Sequence, residues 1–187
     1  MNRKQTLSSP ARGGGGPQGR RGDAPSVGFA DSSPVNGGED SRADMRLEHA
    51  NIVVTAIEPT IKFVTAAFPG WRIRNRGNEP FAGMPREWVH VGDDDNYLAL
   101  TAYELPPEKK GRSRDLKSSA PGLAHIGFEV ADIDAVVARL KDAGFKADHW
   151  GPDHPWRRNV YYLDGEGLEF EFVEYASADP AKRNSDV

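Results

Sequence analysis

The second half of this chain repeats the first, and the repeat restricts the fold to two similar modules in tandem. A slide of 76 residues places Leu47-Glu48-His49 on Leu123-Ala124-His125, and it also aligns apolar residues downstream in each half. Each copy begins with alternating apolar and polar residues, typical of a strand with two different faces, and continues into apolar residues at helical spacing. The sequence therefore predicts a strand followed by a helix in each half.

Each predicted helix carries its own start and stop signals. Residues 58–68 open with Glu58 and end before Pro69-Gly70, while residues 132–143 open with Asp132 and end at a glycine. Acidic and capping residues favour the beginning of a helix, and glycine or proline favours its end. We therefore expect one helix in each module, covering the apolar face of the strands.

The end of each half repeats as well, at an offset of 72 residues. Residues 91–100 and residues 163–172 both contain a strand, a turn rich in aspartate and glycine, and a second strand. One more strand in each half, near Trp71 and after Phe145, completes the pattern. The predicted order in each module is strand, helix, strand, strand, strand.

Composition separates an N-terminal tail from the domain. Residues 1–44 contain 9 Gly, 4 Pro and 6 Ser, and they have too few apolar side chains to offset chain entropy by burial. We predict a disordered tail over 1–44, with Met45 as an alternative start, a domain over 45–176 and a flexible C-terminus over 177–187. Within the domain, module one, a linker and module two span residues 46–104, 105–121 and 122–175.

Composition and charge also exclude several classes of protein. The chain has no cysteine, which excludes a disulfide framework, a thiolate metal site and a cysteine nucleophile. No apolar run approaches the roughly 18 to 20 residues that a membrane helix needs. The net charge of −4 gives no reason to expect nucleic-acid binding. We expect a cytoplasmic protein without membrane or nucleic-acid partners, in which any metal is held by histidine and carboxylate.

Paired modules of this kind, with a histidine near the start of each first strand and a glutamate on the last, resemble the vicinal oxygen chelate superfamily. That superfamily includes glyoxalase I, extradiol dioxygenases, fosfomycin-resistance enzymes and bleomycin-binding proteins. The resemblance covers about residues 46–175. It is most specific in the terminal hairpin, where Asp164, Gly167 and Glu171 match the family pattern and Gly165 replaces the usual proline. The resemblance implies an α+β fold in which two tandem βαβββ modules form a curled, cup-shaped mixed sheet with the helices outside.

The same resemblance places a divalent metal ion on His49, His125 and Glu171. Two imidazoles and one carboxylate suit Fe(II) or Mn(II), with Zn(II), Ni(II) and Co(II) as alternatives. Glu169 shares the polar face and is the main alternative ligand. Ala99 stands where glyoxalase I carries a fourth ligand. The remaining two-histidine, one-carboxylate set has open coordination positions and is typical of non-haem Fe(II) oxygenases.

Three further residues are predicted to act beside the metal. Extradiol dioxygenases combine the ligands with a tyrosine about ten residues before the glutamate and with additional histidines, which correspond here to Tyr161, His90 and His154. Such side chains could hydrogen-bond a bound oxygen or move a proton. At the offset of 72, His90 aligns with Tyr162 rather than Tyr161. We therefore expect one of His90 and Tyr161 to point away from the site.

Three functions stay open on the sequence. The first is a metal-dependent enzyme resembling ring-cleaving extradiol dioxygenases, acting on a small substrate that chelates the metal through neighbouring oxygens. The second is a glyoxalase-like isomerase, epimerase or lyase, and the third is a non-catalytic protein that binds a small molecule as bleomycin-binding proteins do. The alanine at position 99 favours the first over the second and leaves the third open. A homodimer also stays open.

Overall fold

The computed structural model describes residues 46–106 and 121–185. The predicted disordered tail and most of the predicted linker lie outside the described residues, so both stay predictions. In chain order the described residues contain β1 (His49–Val53), α1 (Glu58–Ala67), β2 (Arg72–Gly77), β3 (Arg86–Gly92), β4 (Tyr97–Tyr103), β5 (His125–Glu129), α2 (Ile133–Asp142), β6 (Ala147–Trp150), β7 (Arg157–Leu163), β8 (Glu169–Tyr175) and α3 (Pro180–Arg183).

The strands form two four-stranded sheets, one in each module. Their strand orders are β1-β4-β3-β2 and β5-β8-β7-β6. In each sheet the first strand runs parallel to the last, and the other neighbours are antiparallel. This confirms the predicted tandem βαβββ modules with mixed pairing. Where the sequence predicted one curled sheet, the structure has two open sheets with β1 and β2, or β5 and β6, at their edges.

The strand registers place the predicted polar residues on one face of each sheet. His49 of β1 lies opposite Tyr97 of β4, and His125 of β5 lies opposite Glu169 of β8. Two positions further along β8, Glu171 lies opposite Gly127. Directly opposed residues point to the same face, and that face recurs at every second residue. The predicted alternation therefore matches the structure in both modules.

The two main helices begin as the sequence predicts, by different means. The Asp132 carboxylate accepts a hydrogen bond from the Ala135 amide at 2.9 Å and caps α2. Helix α1 has no side-chain cap, but Pro59 stands in its first turn, where a missing amide hydrogen costs nothing. Both helices have ten residues. No helix in the described part of the chain has the length and apolar character of a membrane span.

Both helices contribute to one core on the apolar side of the sheets. Phe63 of α1 is fully buried. Its ring contacts four rings of module two at centroid distances of 4.9 to 6.2 Å, namely those of Phe145, Tyr162, Phe170 and Phe172. Helix α2 packs on β7 and β8 as well as on α1. The helix of module one thus packs on the sheet of module two, opposite that sheet's polar face.

Polar contacts add to the connection between the modules at the terminal hairpin. Asp164 is buried, accepts a hydrogen bond from the Thr60 hydroxyl, and also accepts from the amides of Glu166 and Leu168. Glu166 in turn accepts a hydrogen bond from the Thr55 amide at 2.9 Å. Asp164, which matches the family pattern, therefore shapes the turn and anchors α1 to it.

The turn of the second terminal hairpin is one residue longer than that of the first. Gly92 pairs with Tyr97 five positions later, whereas Leu163 pairs with Glu169 six positions later. The offset between equivalent residues is therefore 72 after the turn and 71 before it. If the offset of 72 is applied on both sides of the turn, every residue of β3 is aligned with a residue of β7 that is one position too far along the chain. Each side chain of β3 is then assigned to the wrong face of the sheet.

Part of the C-terminal segment that the sequence predicts to be flexible, residues 177–187, has regular structure. Residues 180–183 form the short helix α3, and the Asp179 carboxylate accepts a hydrogen bond from the Ala181 amide at 3.0 Å. The Lys182 ammonium lies 4.4 Å from the centroid of the Trp156 ring. A capped start and a cation–π contact hold this segment on module two.

Candidate functional site

Glu171 lies at the centre of a hydrogen-bonded cluster on the polar face of the second sheet. Its Oε1 atom accepts hydrogen bonds from the Asn159 side-chain amide at 2.8 Å and from the Tyr161 hydroxyl at 2.7 Å. Its Oε2 atom lies 3.0 Å from Nε2 of His125, and the side chain is 15% exposed. One carboxylate oxygen is therefore held by two donors from β7, while the other faces an imidazole from β5.

The pair of His125 and Glu171 fits a metal ion. Two ligand atoms bound at about 2.1 Å and roughly at right angles lie about 3 Å apart, the separation seen between these two side chains. The other ring nitrogen, Nδ1, lies 3.7 Å from a carboxylate oxygen of Glu169. A carboxylate behind a ligating histidine orients the ring and raises its basicity. These three residues have the donor types and the outer support that a metal site needs.

Gly127 leaves the space in front of Glu171 open. A Cβ atom at this position would lie 3.5 Å from Glu171 Oε2, which is ordinary van der Waals contact. A larger side chain would extend over the carboxylate from the opposing strand. The glycine therefore keeps one oxygen of Glu171 accessible, which a ligand position requires.

Tyr161 serves as a hydrogen-bond donor to this carboxylate. Burial raises the pKa of Tyr161, and the hydrogen bond to Glu171 raises it further, to about 12. The phenol is therefore protonated throughout the physiological range. Its ring stacks on His149 with centroids 4.3 Å apart and meets His125 edge-on at 5.6 Å. These contacts fix the hydroxyl on Glu171.

Asn159 is the residue of this cluster that the sequence did not predict. It donates both to Glu171 and, at 3.0 Å, to the Tyr161 oxygen. Its side chain occupies the space that Gly151 leaves, because a Cβ atom at Gly151 would lie 2.1 Å from Asn159 Oδ1. Neither a loop glycine at position 151 nor an asparagine on β7 is informative by itself. No sequence signal therefore identified Gly151 and Asn159 as a pair.

Replacing Gly151 by alanine should weaken divalent metal binding by roughly 10-fold, the lower range for the loss of an outer partner. The new methyl group must displace the Asn159 amide, which then no longer orients Glu171. Isothermal titration calorimetry with Mn(II) measures the change in affinity. Gly70→Ala is the matched control, because nothing lies within 4 Å of a Cβ atom there. Equal affinities for the two variants would show that Asn159 does not support the ligand.

His90 occupies the position in module one that Tyr161 occupies in module two. His90 lies opposite Ala99 in the register of β3 and β4, as Tyr161 lies opposite Glu171 in that of β7 and β8. Both side chains therefore share the polar faces, and the prediction that one of them points away is wrong. The additional residue in the second turn is the physical reason.

His49 is the predicted ligand that the structure does not bring to Glu171. It lies on the polar face of the first sheet, where its Nδ1 atom is 2.6 Å from a carboxylate oxygen of Glu48. Its ring stacks on Tyr97 with centroids 4.8 Å apart, and its side chain is 42% exposed. The structure therefore brings two of the three predicted ligands together, and the complete set of three stays a prediction.

A second group of ligand atoms lies beside the first on module two. In the described residues, one set of three such side chains has its ligand atoms within 4.8 Å of one another: Asp148, His149 and Glu169. The sequence identified Glu169 as the alternative ligand, and the structure adds His149, which lies on β6 opposite Tyr161. This group is the structural alternative to the predicted site.

The contacts of His154 favour a structural role. The residue lies in the loop between β6 and β7, where its Nδ1 atom accepts a hydrogen bond from the Trp156 amide at 3.1 Å. Its Nε2 atom, which then carries the proton, lies 3.1 Å from the carbonyl oxygen of Ser185. One ring nitrogen therefore holds the loop, and the other holds the C-terminal segment. The predicted catalytic role of His154 stays a prediction that these contacts do not favour.

The imidazole of His90 should titrate at a lower pH than an ordinary histidine. Burial, followed by the positive charge of Arg74, lowers the pKa of His90 below its usual value of 6.5. Both causes disfavour the charged ring, so His90 is neutral at pH 7. Nuclear magnetic resonance of the ring protons should give a midpoint below 6.5 that rises in Arg74→Gln. A midpoint at or above 6.5 in the unaltered chain would contradict this environment.

Comparison with known proteins identifies the sequence family and the fold. The family model for the glyoxalase/bleomycin resistance protein/dioxygenase superfamily matches residues 46–172. The YaeR protein of Escherichia coli (strain K12) is 33% identical over 78 residues, which are 41% of this chain and 57% of that protein. The chain thus spans a little more than half the length of this curated relative.

Solved structures show the same fold at low sequence identity. A glyoxalase family protein from Bacillus cereus is 20% identical, covers 75% of this chain and 100% of its own length, and has a TM-score of 0.58. The fosfomycin resistance protein FosX from Listeria monocytogenes, solved with Mn(II) and sulfate, is 16% identical, with coverages of 75% and 98% and a TM-score of 0.51. At these identities the likeness concerns the fold alone.

Proposed function

Because the chain belongs to the glyoxalase/bleomycin resistance protein/dioxygenase superfamily, we propose that it is a metal-dependent enzyme whose ion is held by His49, His125 and Glu171. The observation that carries the proposal is that the two oxygens of one carboxylate have different partners. Glu171 Oε1 is held by two donors, while Oε2 faces His125 Nε2 at 3.0 Å. The donor set favours Fe(II) or Mn(II). His49 would complete it by turning from Glu48, a movement open to a half-exposed side chain on an edge strand.

We propose that the reaction is a ring-cleaving oxygenation of the extradiol type. Ala99 stands opposite His90 on β4 and offers no fourth ligand, so the protein set leaves several coordination positions open for substrate and oxygen. A bound ion would supply Lewis acidity toward a substrate that chelates it through neighbouring oxygens. Tyr161 keeps its proton and holds Glu171 in place. His90, neutral at pH 7, would accept a proton from a substrate hydroxyl.

Oxygen consumption by the Fe(II)-loaded chain with a panel of catechols tests this reaction. We expect stoichiometric uptake of O2 and ring-opened product. Turnover that is unchanged without O2 would contradict the oxygenase and support the isomerase, epimerase or lyase. Failure to take up any divalent metal on titration would contradict both enzymes and support the non-catalytic binding protein. The cytoplasmic location and the homodimer stay predictions.

A further inference from the structure

The polar faces of the two modules differ in charge at equivalent positions. The register of β2 with β3 shifts around Arg74, and the register of β6 with β7 shifts around Asp148. Such bulges turn a side chain out of the normal alternation. In module one the Arg74 guanidinium lies 4.6 Å from the centroid of the Tyr97 ring, on the polar face. In module two the equivalent residue is a carboxylate, which lies 2.9 Å from His149.

The last strands of the two modules repeat this contrast. Tyr97 lies opposite the first histidine of module one, where Glu169 lies opposite the histidine of module two. Two residues further on, Ala99 stands where module two has Glu171. Module two therefore presents three carboxylates around its histidines, and module one presents an arginine, a tyrosine and an alanine at the same places.

Arg74 differs from the other arginines of its strand in forming no ion pair with any of the described residues. Arg72 forms an ion pair with Asp94, and Arg76 forms one with Glu58. Among the described residues, no carboxylate oxygen lies within 4.0 Å of the Arg74 guanidinium. The arginine that the bulge turns onto the polar face is therefore the one that keeps its hydrogen-bond donors for another molecule.

Aromatic rings line the surface below this guanidinium. Centroid distances are 5.0 Å from Trp88 to His90, 4.8 Å from His90 to Tyr97 and 4.8 Å from Tyr97 to His49. The row crosses three strands and ends at a predicted metal ligand. A flat ring packs well on such a row, and a guanidinium at its side pairs with a carboxylate through two parallel hydrogen bonds.

One cavity lies between the His49 end of the row and β5 of module two. His49 and Tyr97 line a cavity of about 410 Å³ together with Gly127 of β5. Gly127 is the residue that leaves Glu171 Oε2 open. A cavity of this volume accommodates a small aromatic molecule. The His49 end of the row therefore borders a space that reaches β5 of module two.

We propose that module one binds the anionic end of the substrate, with Arg74 pairing with a carboxylate group and the rings from Trp88 to His49 packing on an aromatic ring. The metal half of this arrangement rests on the proposed function, whereas the Arg74 half does not. The substrate class is then a small aromatic carboxylate that carries two neighbouring oxygens at the end away from the carboxylate.

Binding of benzoate to the full chain in the presence of EDTA tests the Arg74 half without metal. The ring-proton signals of His90 report binding at the proposed place. We expect benzoate to shift these signals, Arg74→Gln to weaken binding by roughly 10-fold, and benzyl alcohol, which lacks the charge, to bind as weakly as benzoate binds to that variant. Arg76→Gln is the matched control, since it removes the same charge from the same strand and should change the affinity less than about two-fold.

Two results would overturn the inference. Equal weakening by Arg74→Gln and Arg76→Gln would indicate attraction by net charge alone, and equal binding of benzyl alcohol and benzoate would show that the carboxylate is not recognised. Failure of the proposed function has a different signature. If benzoate binds through Arg74 but no divalent metal binds, the anion site stands and the metalloenzyme does not. If metal binds through Glu171 but Arg74→Gln has no effect on benzoate binding, the metalloenzyme stands and the anion site does not.

Discussion

Glu171→Gln should lower the affinity for a divalent ion by at least about 100-fold, the largest effect expected of any single substitution in the site. An amide keeps the shape of the side chain and can still accept hydrogen bonds from Asn159 and Tyr161. It lacks the negative charge that Oε2 offers beside His125. Calorimetric titration with Mn(II) measures the loss, and an unchanged unfolding temperature would show that the fold is intact.

Glu169→Gln distinguishes this site from the neighbouring group of Asp148, His149 and Glu169. If the ion lies on Glu171, Glu169 acts only through the outer nitrogen of His125. Its loss should then lower the metal affinity by about 10-fold. If the ion lies in the neighbouring group, the order of the two effects is reversed. Glu87→Gln is a control on the opposite face of β3, and it should leave metal binding unchanged.

Phe63→Ala should lower the free energy of unfolding by about 3–5 kcal/mol, the range for removing a large ring from a closed core. The ring is fully buried and touches four aromatic residues of module two, so little can move into the space it leaves. Urea denaturation followed by circular dichroism measures the change. Phe81→Ala, whose ring is 56% exposed and contacts Arg86, should cost less than about 1 kcal/mol.

The same experiment tests whether the two modules unfold together. Because α1 of module one packs on the sheet of module two, the described residues should unfold in one transition. Two separate transitions in the unaltered chain, or a small loss in Phe63→Ala, would contradict the shared core.

The repeat was enough to predict the strand and helix order and the face to which most strand residues point. Alternation has a period of two, so a correct strand assignment also gives the correct face. The prediction for His90 was wrong because one additional residue between Asp164 and Leu168 reverses that assignment for the strand before the turn. A sequence offset cannot show on which side of a turn an insertion lies.

One feature of the site and one of the core depend on contacts that periodicity does not contain. The bulges at Arg74 and Asp148 break the alternation and turn both side chains onto the polar faces. Phe63 lies outside the apolar stripe that Ile61 and Val64 form on α1, yet it is fully buried because the helix packs on the other module. Packing across modules is a tertiary contact, and the sequence pattern of one helix does not specify it.

Anomalous diffraction from crystals of the Mn(II)-loaded chain tests the central claim most directly, because it locates the ion without reference to activity. We expect one strong peak within about 2.2 Å of His125 Nε2 and Glu171 Oε2, with His49 turned away from Glu48 to meet it. A peak on Asp148, His149 and Glu169, with none at Glu171, would contradict the account.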